Sequence, residues 1–173
     1  MIKLFKMGMR KYLLVVISFS FISCSQTFYV VRHAEKEKPA QGMSSDVALS
    51  VQGKKRAEDL TTILKNKNIS TIFSTNTIRT KSTAEPLAMF RSISITLYES
   101  RPDSFFVKKV KDSKGNVLVV GHSNTVDEIV NMLCDEIVIP ANLPDESYDN
   151  LFVVKRKGIK MKFENKKYGD SNY

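Results

Sequence analysis

The sequence predicts a single α/β domain arranged as a three-layer sandwich, in which a mostly parallel central sheet is flanked by helices and ends in a C-terminal β-hairpin. Three observations predict it. From residue 27 onward, short apolar β-rich runs alternate with helix-spaced segments, the pattern of parallel strands joined by helical crossovers. A length of 173 residues suits one domain with a real core and is short for two. A hydrophobic content of 42% against 26% charged residues is that of a globular chain.

The elements follow in order. Thr27-Phe28-Tyr29-Val30-Val31 reads as a buried strand. A polar loop with Pro39 and Gly42 runs to about Ala48, and Ser50 stands as an N-cap before Ala57, Leu60 and Leu64, whose spacing predicts a helix to about Asn66. Ile69 to Phe73 is a second strand. Thr75 or Asn76 opens a helix towards Phe90, with a kink or weak turn expected at Pro86. Ile93 to Leu97 is a third strand and Ser104 to about Lys111 a weak helix. Asn116 to Val120 is the most apolar strand, and Asn124 to Leu133 is a helix. Leu151 to Val154 and Ile159 to Phe163, joined through Lys157-Gly158, form the hairpin, and a flexible tail is expected from 164 to 173.

Ahead of this domain lies a different kind of segment. The formal charge is +9, and Lys3, Lys6, Arg10 and Lys11 contribute to it within a stretch that has no acidic residue before Cys24. The apolar run 12–22 is shorter than the roughly 20 residues a bilayer span needs and has the length of a secretory core. Phe21-Ile22-Ser23-Cys24 resembles a bacterial lipoprotein cleavage box. That resemblance implies a signal peptide over 1–23, a mature domain over 24–173, lipid on Cys24, and a site in the bacterial cell envelope; a plainly secreted protein is the alternative. Ser25-Gln26 then reads as a short polar tether. With Cys24 lipidated, Cys134 alone cannot make an intramolecular disulfide, and it reads as a small buried hydrophobe.

In open parallel sheets, ligands bind beyond the carboxyl ends of the strands. Arg32-His33 follows the first strand, Ser74-Thr75 the second, with Arg79 in the first turn of the next helix, and Gly121-His122-Ser123 the fourth. The chain has two histidines, and both fall there. Phosphoryl transfer needs a nucleophile and a positive cradle for the equatorial oxygens. A neutral imidazole supplies the first. Arg32 and Arg79 supply planar, permanently charged forks, and His122 and the helix start after it supply further donors, with Ser123 beside them. Side chains alone neutralise the developing charge in such a site, so neither a metal nor another cofactor is expected.

These segments resemble the histidine phosphatase superfamily, also called phosphoglycerate mutase-like. Val-Val-Arg-His-Ala-Glu-Lys (30–36) is similar to its Arg-His signature. Leu49-Ser50-Val51-Gln52-Gly53, Phe73 to Thr80 with Thr83 to Ala88, and Val120 to Asn124 are similar to its later motifs, in the same order. The resemblance implies that His33 is phosphorylated during turnover and that Arg32, Arg79 and His122 hold the phosphate. It also points to the short phosphatase branch, with an open site, acting on a phosphorylated small molecule or phosphoprotein. For the general acid, Glu99 after the third strand is the first candidate, Glu35 the second and Asp103 the third. No nucleic-acid partner is expected. A non-catalytic phosphate-binding lipoprotein of the same fold is the alternative function.

Overall fold

The computed structural model describes residues 25–41 and 44–171. The expected signal peptide, Cys24 and Gly42 lie outside the described residues. Ten elements follow one another: β1 (Ser25–Arg32), α1 (Val51–Leu64), β2 (Ile69–Thr75), α2 (Ile78–Arg91), β3 (Ile95–Tyr98), α3 (Ser104–Asp112), β4 (Asn116–Gly121), α4 (Val126–Cys134), β5 (Asn150–Lys157) and β6 (Lys160–Lys167). The strands form one sheet in the order β3-β2-β4-β1-β5-β6. The first four are parallel, and the hairpin adds two antiparallel strands beside β1.

Side-chain alternation along the strands builds two cores. Phe28, Val30, Val117, Val119, Phe152 and Val154 face α3 and α4. Tyr29, Val31, Leu118, Val120, Leu151 and Val153 face α1 and α2. The expected sandwich is therefore present, with β1 and β4 buried on both faces. Local chemistry sets the helix starts. Ser50 accepts from the Gly53 amide, Thr77 from the Thr80 amide and Asp103 from the Phe106 amide. The helix α2 continues through Pro86, so the expected weak turn is absent; Pro86 removes only its own amide donor, and the flanking residues pack against α1 and β2.

Three expectations need correction. The segment after Glu164 is not a free tail: β6 runs to Lys167, Tyr168 is buried, and the Tyr168 amide donates to Asp149 O at 2.9 Å. Pairing along the whole of β5 outweighs the polar composition that suggested fraying. Ser25 and Gln26 are not a tether either. They open β1 opposite Lys157 and Arg156, and Gln26 is buried with its Nε2 donating to Ser113 O at 2.5 Å. Finally, the helix start expected just after His122, at Asn124, comes later. His122 starts a turn, with the amides of Thr125 and Val126 both donating to His122 O at 3.1 Å, and α4 begins four residues later.

Candidate active site

The parallel strands deliver Arg32 and His33, Thr75, and Gly121-His122 to one edge of the sheet, beside a cleft of about 920 Å³. Arg32, His33, Arg79, His122 and Ser123 all line it. The two imidazole centroids are 5.6 Å apart with planes at 67°. The register places Arg32 beside Gly121, and the His33 amide donates to Gly121 O at 2.9 Å, so β4 holds the backbone of the nucleophile candidate.

The orientation of His33 is set by its own chain. Nδ1 lies 2.8 Å from Ala34 O. A carbonyl only accepts, so Nδ1 carries the proton and Nε2 keeps its lone pair. The Ala34 amide donates to Thr83 Oγ1 at 2.9 Å, and Thr83 in turn donates to Arg79 O at 2.7 Å. The α2 residue Thr83 thus ties the His33 segment to the helix that carries Arg79.

His122 is held at both ring nitrogens. Its Nδ1 is 3.4 Å from Arg79 Nη2, which can only donate, so Nε2 carries the proton and donates to Thr75 Oγ1 at 2.9 Å. Both imidazoles are neutral near pH 7. Burial, helped by Arg32, Arg79 and His122, pushes His33 down to about 3 against the opposing Ala34 hydrogen bond. Burial, with Arg79 and Arg32, pushes His122 down to about 4, while Asp46 pulls the other way.

The two arginines are anchored on their outer sides. Arg32 Nη1 donates to Pro144 O at 3.0 Å and Asp145 O at 2.8 Å, and its guanidinium lies 4.1 Å from the Tyr148 ring centre. Arg79 Nη1 lies 3.3 Å from Asp46 Oδ1. The Nε–H of each arginine is buried and has no partner among the described residues. A buried cationic donor without an acceptor is costly. Both guanidiniums also line the cleft, where they supply permanent positive charge to an anion.

The acid candidates fall elsewhere. Glu99 is exposed and does not line the cleft, although Ser100 and Arg101, the residues that follow it, do. Glu35 is committed to Arg56, whose Nε donates to both carboxylate oxygens at 2.9 and 2.8 Å. Asp103 caps α3. The carboxylates that do line the cleft are Glu128 and Asp145. Beyond the strand-end residues, Thr75 among them, the structure adds Asp46, Thr83, Glu128, Tyr148 and the buried Arg56 to the site and its supports. Of these, only Thr83 had a local signal, inside a motif around Arg79; the others arrive through contacts distant in sequence.

Residues 28–100 match the histidine phosphatase superfamily (branch 1), so the resemblance holds over the segment carrying Arg32, His33 and Arg79. Comparison with curated proteins gives no match. Among solved structures, the chain is similar to the protein histidine phosphatase SixA complexed with tungstate, at 16% identity and a TM-score of 0.64 over 82% of this chain and 96% of that one. It is similar to a phosphoglycerate mutase from Bacillus anthracis str. Sterne, at 15% identity and a TM-score of 0.58 over 83% and 93%. A mycobacterial glucosyl-3-phosphoglycerate phosphatase shares 11% identity at a TM-score of 0.61, over 86% of this chain and all of that one (100%). At these identities the likeness is one of fold, the α/β architecture expected from the sequence.

Proposed function

We propose that this chain is a phosphatase that hydrolyses phosphate monoesters or phosphohistidine through a phosphohistidine formed on His33. The observation that carries this reading is the 2.8 Å bond from His33 Nδ1 to Ala34 O, which leaves Nε2 as a neutral nucleophile facing the cleft between Arg32, Arg79 and His122. Nε2 attacks phosphorus, the bond from phosphorus to the leaving atom breaks, and Arg32 and Arg79 take up charge on the equatorial oxygens. Water then attacks the phosphohistidine and releases orthophosphate, returning the imidazole to its starting form.

The position of Glu99 bears on the leaving group. With Glu99 off the cleft, an alkoxide departing from this site draws its proton from Glu128, Asp145 or water. Phosphohistidine makes a smaller demand, because imidazole is a far weaker base than an alkoxide. The likeness to a protein named as a histidine phosphatase supports including that substrate. Incubation with p-nitrophenyl phosphate and with a phosphohistidine peptide, wild type beside His33→Ala, tests the proposal. Turnover and an acid-labile, base-stable phosphoenzyme are expected in the wild type, and neither in the variant. A His33→Ala enzyme that still turns over removes the nucleophile assignment.

The N-terminal segment adds a location. A basic stretch, an apolar run and Cys24 support a lipid-anchored protein of the bacterial envelope. Labelled fatty acid incorporated into the wild type but not into Cys24→Ser is the expected result.

A further inference from the structure

The sheet has two ends, and the cleft occupies one of them. At the other end β1 begins, and so do β2 and β4, while the β5–β6 hairpin turns there. The pairing of Ser25 with Lys157 puts the entry point of the chain directly beside the hairpin tip. Neighbouring loops join it: Asn116 Oδ1 accepts from the Thr27 amide at 2.8 Å, and Asn116 Nδ2 donates to Lys67 O at 2.5 Å.

This end is cationic. Lys65, Lys67, Lys114, Lys157 and Lys160 are exposed there, and none has an ion pair among the described residues. The segments outside the description contain no acidic side chain that could pair with them. Three of the acids nearby are already engaged, Asp112 by Lys108, Asp135 by Lys111, and Glu164 by Lys155, Lys162 and Lys166, while Glu136 lines one cavity with Lys111 and Arg156. At the tip, between Lys157 and Lys160, Ile159 is 98% exposed. An apolar side chain flanked by unpaired ammonium groups suits the boundary between lipid headgroups and acyl chains.

We infer that this end of the sheet lies flat on an anionic bilayer, with the cleft facing away from it. The occupant is argued from where the chain enters. Residues 12–22 are apolar, the basic residues before them have no acidic companion, and Cys24 immediately precedes the first residue of β1. Because Ser25 and Gln26 are strand, no tether separates the domain from a lipid on Cys24. Ser25, the residue that follows the attachment point, is paired in the sheet, and this sets the face that meets the membrane. Arg32 stands at the other end of β1, roughly 25 Å away at strand rise, which keeps the cleft clear of the headgroups. The inference rests on the envelope location proposed above.

The test uses residues 24–173, with and without lipid on Cys24, on vesicles of phosphatidylcholine with or without 30% phosphatidylglycerol, roughly the anionic content of a charged leaflet. A water-soluble amine-acylating reagent is applied and modification of each lysine is followed by mass spectrometry. Lys157, Lys160 and Lys67 should be protected about fivefold or more on the anionic vesicles, while Lys36 and Lys54 at the cleft end react unchanged. Replacing Lys67, Lys157 and Lys160 by Gln should weaken binding to these vesicles by about fivefold per residue at low salt, and less at high salt. Equal protection at both ends, or binding indifferent to phosphatidylglycerol and to the three substitutions, overturns the inference. The two readings separate cleanly. A chain with lipid on Cys24 but no end-specific protection keeps the anchor and loses the surface. A chain without lipid whose Lys157 and Lys160 are still protected keeps the surface and loses the anchor.

Discussion

Arg56 grips Glu35 with its Nε 2.9 and 2.8 Å from the two carboxylate oxygens and Nη2 2.7 Å from Oε1. The same guanidinium donates to Tyr168 O at 2.9 Å and Asp170 O at 3.0 Å, so it links α1, the His33 segment and the end of the chain. The peptide between Ala34 and Glu35 carries the carbonyl that holds His33 Nδ1. Arg56→Met should therefore lower kcat about 10- to 100-fold through misplacement of the ring. It should also cost about 1–3 kcal/mol of stability in urea unfolding, because it leaves the half-buried Glu35 carboxylate without its partner. The double variant Glu35→Leu with Arg56→Met should be less destabilised than Arg56→Met alone. If it is more destabilised, desolvation of the lone carboxylate is not the cause.

The imidazoles of His33 and His122 have folded pKa values of about 3 and 4, below the roughly 6.5 of an unfolded histidine. Both states are neutral above that upper value, so the folded protein keeps its full stability there. As pH falls, the unfolded chain binds protons first, and stability declines until pH has passed through 4 and then 3. The nucleophile stays competent through the same descent. NMR titration of the two ring Hε1 signals should show no transition between pH 8 and about 5. A transition in either ring near 6.5 would contradict its burial among cations.

Glu99→Gln should change kcat/KM by less than about twofold for both p-nitrophenyl and phenyl phosphate, as for an exposed residue away from the chemistry. Glu128→Gln and Asp145→Asn test the carboxylates that line the cleft. If one of them protonates the leaving atom, its loss should slow phenyl phosphate by about 10²-fold or more and the nitrophenyl ester less. A strong selective effect of Glu99→Gln instead would restore that residue to the acid role.

Asp46 accepts from the Ile78 amide at 2.9 Å and from Arg79 at 3.3 Å. It competes with an incoming anion for Arg79 while capping α2. Asp46→Asn keeps an oxygen for the amide and removes the charge. Inhibition by orthophosphate should tighten about two- to fivefold, the scale of a partly exposed ion pair, with little change in melting temperature. Weaker inhibition would mean that Asp46 holds Arg79 in place for the substrate.

Much of this site was visible in the sequence because the relevant signals are local. An apolar run marks a strand, a parallel sheet aims the strand ends together, and Arg32, His33 and His122 follow such runs directly. Ser50 and Pro86 illustrate the limits on either side. The cap at Ser50 is satisfied within one turn, and the structure agrees; the effect of Pro86 depends on what packs around it, and the helix continues. Glu99 follows β3, which marks it as an acid candidate, yet it is exposed and the cleft is lined instead by its neighbours Ser100 and Arg101. Arg56 reads as one more charged position on a helix, and its role arises only from residues 21 and more than 100 positions away. The order of β6 is hidden from the sequence for the same reason, since this polar strand is held by pairing with β5.

Arg32 takes hold of the segment 144–148 mainly through the oxygens of Pro144 and Asp145, which belong to the main chain. Those acceptors stay the same whatever side chains the segment bears. The wall of the cleft can therefore change its chemical character, residue by residue, while the guanidinium beside the nucleophile keeps its footing. Diversification of substrate choice and preservation of the reacting groups are assigned to different atoms of one short stretch.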